Sequence, residues 1–283
     1  MYRLIMLMTV LAAEPLLGAD IASEIRTGDS APDTSNGGYV EVGVGLRYAD
    51  GGLLDELDGE RNDAYRYRYT LNLNYEYRYK GLFIEAVGGT ADGFHLGYNF
   101  WHNNYWTVDF LALSGGGDPK NKKLAGLPEA DRNAELLDRN FGFTGSGIRA
   151  TGYLGDYILQ YRLLADALDD NDNGIVSTTR VGRSWQVKNW NFHGIASLRY
   201  DSATTNQRAF GITPEEATAR FGAYEPSSSV SFGAEVGATY PLSEHWVFRS
   251  TAGFVQQNKE AELSPLRKRK HSVFFNASIS YVF

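Results

Sequence analysis

The sequence predicts an all-β protein: a transmembrane, antiparallel, up-and-down β-barrel of about twelve strands. Three observations predict it. Apolar and polar residues alternate with a period of two from Gly37 to the C-terminus. Connections between the alternating segments switch strictly between short and long. The final amphipathic segment ends on an aromatic residue, Phe283, with Tyr281 on the same face.

The N-terminus comes before any strand. Arg3 supplies a minimal basic start, and Leu4 to Leu11, extended by Ala12 and Ala13, has the length of a signal h-region. Residues 1–19 are expected to be a signal peptide, cleaved after Ala13 or Ala19. Residues 20–36 are rich in Asp, Ser, Thr and Gly and are expected to form a flexible periplasmic lead-in. Residues 37–283 form the expected barrel.

Each strand is justified by its alternation. The first sets Val40, Val42, Val44, Leu46 and Tyr48 against Glu41, Gly43, Gly45 and Arg47. The clearest runs from Tyr65 to Tyr79: every odd position is Tyr or Leu, and every even position is polar. A helix would mix the two sets, because its period is about 3.6. The run also exceeds a typical soluble strand but suits a tilted membrane-spanning one. Leu82–Val87 follows with a weaker pattern, then Phe94–Phe100 and Trp106–Ala112. Gly147–Leu154 is weak, and Leu159–Leu163 sets Leu and Tyr against Gln160 and Arg162. Ile175–Val187 is again weaker; Phe192–Tyr200, Val230–Tyr240 and Trp246–Phe254 come next, and Val273–Phe283 closes the series.

The connections test this division independently. Tight turns are expected at 79–81, 102–104, 155–156, 188–189 and 242–244. Long polar loops are expected at 49–64, 88–93, 115–146, 167–174, 201–228 and 257–270. Bacterial outer-membrane barrels combine short periplasmic turns with long extracellular loops, so both termini are expected in the periplasm. In the loop 201–228, Thr213, Pro214 and Glu216 form a capping-box pattern that predicts a short helix through about Phe221.

Composition narrows the function. No run of eighteen apolar residues follows the N-terminus, so no transmembrane helix is expected. With Cys 0, neither a disulfide, a thiolate metal site nor a Cys nucleophile is possible. A net charge of −7 argues against a nucleic-acid partner.

The polar face carries the candidate site. Its charges are Glu41, Arg47, Arg66, Arg68, Glu76, Arg78, Glu85, Asp109, Arg149, Arg162, Asp166, Arg180, Arg199, Glu235 and Arg249. Charges removed from water must be paired or solvated. They therefore form either a structural ion-pair ladder or an eyelet selecting small anionic or zwitterionic solutes. The five His are scattered singly, and no Ser lies in a nucleophile elbow. His95 with Glu85 or Asp109 makes a lumen hydrogen-bond cluster or, alternatively, an acid–His pair. The reading is a non-enzyme with no cofactor, no metal and no catalytic residue. The basic run Arg267-Lys268-Arg269-Lys270 is either a solvated loop or a contact for lipopolysaccharide phosphates. Tyr281 and Phe283 are expected to be read by the barrel-assembly machinery.

Gly211-Ile212-Thr213-Pro214-Glu215-Glu216-Ala217, Tyr224 with Pro226, Ser264-Pro265-Leu266 and the terminal Ser280-Tyr281-Val282-Phe283 resemble the MipA/OmpV family. Phe210-Gly211-Ile212-Thr213 stands where that family carries Tyr-Gly-Val-Ser. The resemblance implies an outer-membrane scaffold linking peptidoglycan synthesis and hydrolysis. Its implied partners are a lytic transglycosylase and a penicillin-binding protein; other members are described as porin-like or adhesive. A porin-like channel for small solutes therefore stands beside the scaffold.

Overall fold

The computed structural model describes residues 25, 32, 34–50, 67–87, 93–116, 143–166, 173–217, 219, 221–265 and 271–283. The expected signal peptide, Arg66 and the basic run 267–270 lie outside these residues. Twelve antiparallel strands close into one barrel. They are β1 (Gly37–Asp50), β2 (Tyr67–Tyr79), β3 (Leu82–Val87), β4 (Gly93–His102), β5 (Trp106–Gly116) and β6 (Phe143–Leu154). The series continues with β7 (Tyr157–Asp166), β8 (Ile175–Val187), β9 (Trp190–Asp201), β10 (Ser229–Pro241), β11 (Trp246–Gln256) and β12 (His271–Val282). Every strand pairs with its sequence neighbour, and β1 pairs with β12 through Glu41↔Val282 to Asp50↔Val273. Closure removes the unpaired edge of an open sheet.

The alternation in the sequence becomes the two faces of the wall. Val44, Leu71, Ile279 and Val236 point outward and are exposed in the isolated chain. A belt of this kind is unsuited to water and is what lipid covers. No described helix is long and apolar enough to cross a membrane. Tyr157, Trp185, Trp246 and Tyr281 stand near strand ends at the tight-turn rim, and the rings of Trp190 and Tyr240 meet there at 4.7 Å in a tilted pair. Interfacial aromatic belts are built of such residues.

All five tight connections sit at one end of the barrel, at 80–81, 103–105, 155–156, 188–189 and 242–245. In the first, Lys80 (φ 51) and Gly81 (φ 84) are both left-handed, as a two-residue I′ hairpin requires. Register shifts interrupt β4–β5 at Leu96/Gly97 and Asn99/Trp101, and β5–β6 between Leu111 and Ser114. Alternation alone had not indicated these bulges.

The helix expected from Thr213 is replaced by an earlier one. Helix α1 spans Ala203–Phe210 and is capped by Ser202, whose Oγ accepts from the Thr205 N–H at 3.3 Å. The Thr213–Glu216 box does form: the Thr213 N–H donates to Glu216 Oε2 at 2.9 Å, and the Glu216 N–H to Thr213 Oγ1 at 3.3 Å. It closes only a turn over 214–216, because Ile212 pairs with Tyr224 and draws the chain back. A second short helix, α2 (Lys259–Leu263), follows β11.

The interior is not uniformly polar. Phe83, Leu111, Phe143, Leu164 and Val176 form one buried apolar cluster, and Tyr153, Ile158 and Ile195 another. Ile25, from the 20–36 stretch, belongs to the second cluster and is completely buried.

Candidate functional site

The site is the barrel interior, assembled from inward positions of neighbouring strands. On β2 to β6 an ion-pair ladder crosses the wall. Arg78 Nε donates to Glu76 Oε1, and its Nη2 lies 3.6 Å from Glu85 Oε2. Arg149 donates through Nη1 to Glu85 and through Nε to Asp109 Oδ2 at 2.9 Å. Asn99 Nδ2 donates to the other Asp109 oxygen at 2.8 Å. The Phe83 ring lies 5.2 Å from the Arg78 guanidinium and 5.0 Å from that of Arg149. A flat cation over an aromatic face is a favourable substitute for water. Such charges tolerate burial only because each is paired and hydrogen-bonded.

A second pair joins the walls near the barrel closure. Arg249 on β11 clasps Glu41 on β1, with Nε at 3.1 and 3.2 Å from the carboxylate oxygens and Nη2 at 3.0 Å. On β9 and β10, His193 Nε2 meets Glu235 Oε1 at 2.9 Å, both deeply buried. Arg47 and Arg68 stand opposite one another on β1 and β2, half-buried.

The wall of β7 to β9 is dominated by arginine. Arg162 and Arg199 flank Thr178 from its two neighbouring strands, and Arg180 stands opposite Gln160, which accepts from its Nη1 at 2.6 Å. Arg199 forks onto Asp201 at 2.9 and 3.0 Å. Arg162 Nη1 lies 3.4 Å from His95 Nε2. The expected neighbourhood of His95 is thus present: it stands opposite Glu85, while Asp109 is joined to Glu85 through Arg149. Ser114 Oγ lies 2.8 Å from His95 Nδ1.

The structure gathers Glu76, Arg78, Glu85, Asp109 and Arg149 into one network and holds Glu41–Arg249 and His193–Glu235 apart from it. Sequence reasoning missed Phe83, Asn99, Gln160 and Ser114 as members. Phe83 broke the polar-in pattern, while the other three shared the inward parity of the charges but carried no charge to draw attention. No group of described His, Asp and Glu residues could hold a metal ion.

At the long-loop end, Asn206 Nδ2 donates to the Ser227 carbonyl at 2.7 Å within 201–228, and that loop packs on the next, where Ser264 Oγ donates to the Phe210 carbonyl at 2.8 Å. The Tyr224 hydroxyl donates to the Glu260 carbonyl at 2.9 Å and lies 3.0 Å from its Oε2. Partial burial, then the Glu260 hydrogen bond and charge, push the Tyr224 phenol up to about 12. A raised phenol pKa stabilises the packed loops fully below the ordinary value of about 10; that share is lost as pH rises toward about 12. Tyr224→Phe is expected to remove both contacts, loosening the loops by about 0.5–1.5 kcal/mol while the barrel stays intact. Faster proteolysis within 201–228, together with loss in the variant of the further loosening that the wild type shows between about pH 10 and 12, is the expected readout.

The terminal aromatics face outward at the tight-turn rim. Tyr281 packs against Trp246 at 5.3 Å and Phe283 at 4.8 Å, and the Phe283 N–H donates to the Val40 carbonyl at 2.9 Å.

The profile of the family described as MltA-interacting protein MipA matches residues 42–283. The chain is 22% identical over 194 residues to outer membrane protein OmpV of Vibrio cholerae serotype O1, covering 68% of this chain and 73% of that protein. Outer membrane protein Omp26La of Vibrio anguillarum is similar to the same extent, 22% over 194 residues. Among solved structures, the NanC porin aligns with a TM-score of 0.44 at 9% identity, over 85% of this chain and 98% of that one.

Proposed function

The chain belongs to the MltA-interacting protein MipA family and is a bacterial outer-membrane β-barrel, and from that premise we propose that it is a non-enzymatic scaffold. In this reading it holds a lytic transglycosylase, together with a penicillin-binding protein, at the inner face of the outer membrane.

The observation that carries the reading is the filled lumen. Glu85, Asp109, Arg149, Arg162, Arg180, His193 and Glu235 all point inward, yet none is more than 6% exposed. Side chains of a water-filled pore would be wetted. A barrel packed in this way acts through its rims, and the family description names a partner for it. The tight-turn rim is the docking face in this reading, because short turns face the periplasm in such barrels. The interior also argues against catalysis. His95 and Ser114 meet, but at 4% and 1% exposure no substrate reaches them, and an Arg162 guanidinium faces the second His95 nitrogen. A general base needs both access and an orienting acceptor. In the same proposal Tyr281 and Phe283 serve assembly into the membrane, and the basic run Arg267, Lys268, Arg269 and Lys270, which lies outside the described residues, is either a solvated loop or a contact for lipopolysaccharide phosphates.

A second reading, a channel for small anionic solutes, is favoured by the arginines of β7 to β9. The two are separated by photo-crosslinking in living cells from the exposed tight-turn positions Asp156 and Lys188. Capture of a lytic transglycosylase or penicillin-binding protein is the expected result. Capture of assembly factors alone, with single-channel current from the purified barrel, would replace the scaffold by the channel.

A further inference from the structure

The outward face of the barrel is almost free of charge, as a lipid-facing wall requires. Arg183 on β8 departs from it. Among the described side chains of the twelve strands it is the one Asp, Glu, Lys or Arg at an outward position. Its strand alternates buried Thr178, Arg180 and Gly182 with outward Thr179, Val181, Arg183 and Trp185. A cation on the lipid face is costly at the bilayer midplane and tolerated near the interfaces. Arg183 is near one: it stands opposite Tyr157, the first residue of β7 after the tight turn 155–156.

The side chain is held in place. Its Nη2 donates to Asp156 Oδ2 in that turn at 2.7 Å, and its guanidinium lies 5.6 Å from the centre of the Tyr157 ring. Trp185, two residues along the same face, bounds the other side. Its ring meets Phe192 at 6.2 Å in a stacked pair and lies across Gly194, where a Cβ would be 3.8 Å from it. Gly194 stands opposite Arg183 on β9 and contributes no side chain beside the guanidinium. The side chains of Arg183 and Asp156 are 44% and 67% exposed in the isolated chain. The bond between them uses Nη2 and Oδ2 and leaves Nε, Nη1 and Oδ1 for a ligand.

The pair is neutral as a unit, yet it presents a cation and an anion side by side at the level of lipid headgroups. An anion alone is drawn to the guanidinium and repelled by the carboxylate. A zwitterion carrying a phosphate and a primary ammonium meets each with the opposite charge, and both contacts are charge-assisted hydrogen bonds. A quaternary ammonium has no N–H to donate to Asp156. We propose that Arg183 and Asp156, between the rings of Tyr157 and Trp185, bind the headgroup of a phosphoethanolamine lipid in the leaflet at the tight-turn rim. The phosphate sits on the guanidinium and the ammonium on the carboxylate. The site goes beyond the scaffold reading and does not rest on it, since Lys188, which also reports partner capture, takes no part in the site.

The test is native mass spectrometry of the full-length barrel in detergent, offered phosphatidylethanolamine, phosphatidylcholine or phosphatidylglycerol of equal chain length. Retention of phosphatidylethanolamine over both others by about two- to fivefold is expected, the size of one exposed charge pair. Asp156→Asn is expected to bring phosphatidylethanolamine down to the level of phosphatidylcholine. Arg183→Gln is expected to abolish the preference and to lower retention of all three lipids, because each carries the phosphate. Heat-modifiable gel migration identifies a variant that has folded, and one of the two suffices. Equal retention of the three lipids by the wild type, or a preference unchanged in a folded variant, would overturn the site. Stronger retention of phosphatidylglycerol would overturn the pairing of Asp156 with an ammonium. Free phosphoethanolamine in excess is expected to leave the bound lipid in place; its displacing the lipid would overturn the lipid as ligand and give the site to a soluble zwitterion.

Discussion

Arg149→Ala is expected to destabilise the barrel by about 3–5 kcal/mol, the cost of leaving buried charges without their partner. Arg149 is 4% exposed and is the shared donor of Glu85 and Asp109, themselves 4% and 2% exposed. Removing it leaves two carboxylates inside the wall and takes a cation from the Phe83 ring. The comparison that isolates this mechanism is Arg149→Met with Glu85→Gln and Asp109→Asn together. Removing the whole charge set costs far less than removing one member, because no uncompensated ion remains. Arg249→Ala is the second comparison. That guanidinium is 29% exposed, so water compensates Glu41 in part and the loss is smaller. Denaturant unfolding in detergent micelles, followed by tryptophan fluorescence, measures all three. Equal losses for Arg149→Ala and the triple variant would mean that the ladder is solvated and the lumen open.

Val44→Arg is expected to cost about 2–4 kcal/mol, the penalty for a cation near the bilayer midplane on a barrel's lipid face. Val44 pairs with Leu71 on one side and Ile279 on the other, and is 67% exposed in the isolated chain. On a water-soluble sandwich the same substitution at so exposed a position would change stability by no more than about 0.5 kcal/mol. The experiment is reversible folding into lipid vesicles, comparing folded fractions across denaturant. A neutral result would contradict a lipid-facing belt.

The strands were legible because a strand's two faces are a local property. Tyr67 to Tyr79 alternates in the chain and alternates in the barrel, with no long-range information needed. The C-terminal strand and the tight turns were legible for the same reason. The bulges at Leu96/Gly97 and Asn99/Trp101 were not, since a one-residue slip is decided by how the partner strand fits. The loop helix was misplaced by a real signal: the Thr213–Glu216 box forms, but the Ile212–Tyr224 pairing overrides its continuation.

The candidate site divides along the same line. Inward parity identified Glu41, Glu76, Arg78, Glu85, Asp109, Arg149, Arg162, Arg180, Arg199, Glu235 and Arg249 as one polar face. Parity could not say who pairs with whom. Arg149 meets Glu85 across 64 residues and Arg249 meets Glu41 across 208, distances that strand order, register and tilt bridge. It also gave no sign that Tyr153, Ile158 and Ile195 face inward and cluster with Ile25, which is far away in sequence. The sequence by itself determined the fold class, the strand count and the sign of each face, because period, turn length and amphipathicity are written residue by residue. Only the tertiary structure decided the ion-pair partners, the burial of the ladder and the contacts of Ile25, because closure of twelve strands brings together walls that no local pattern connects.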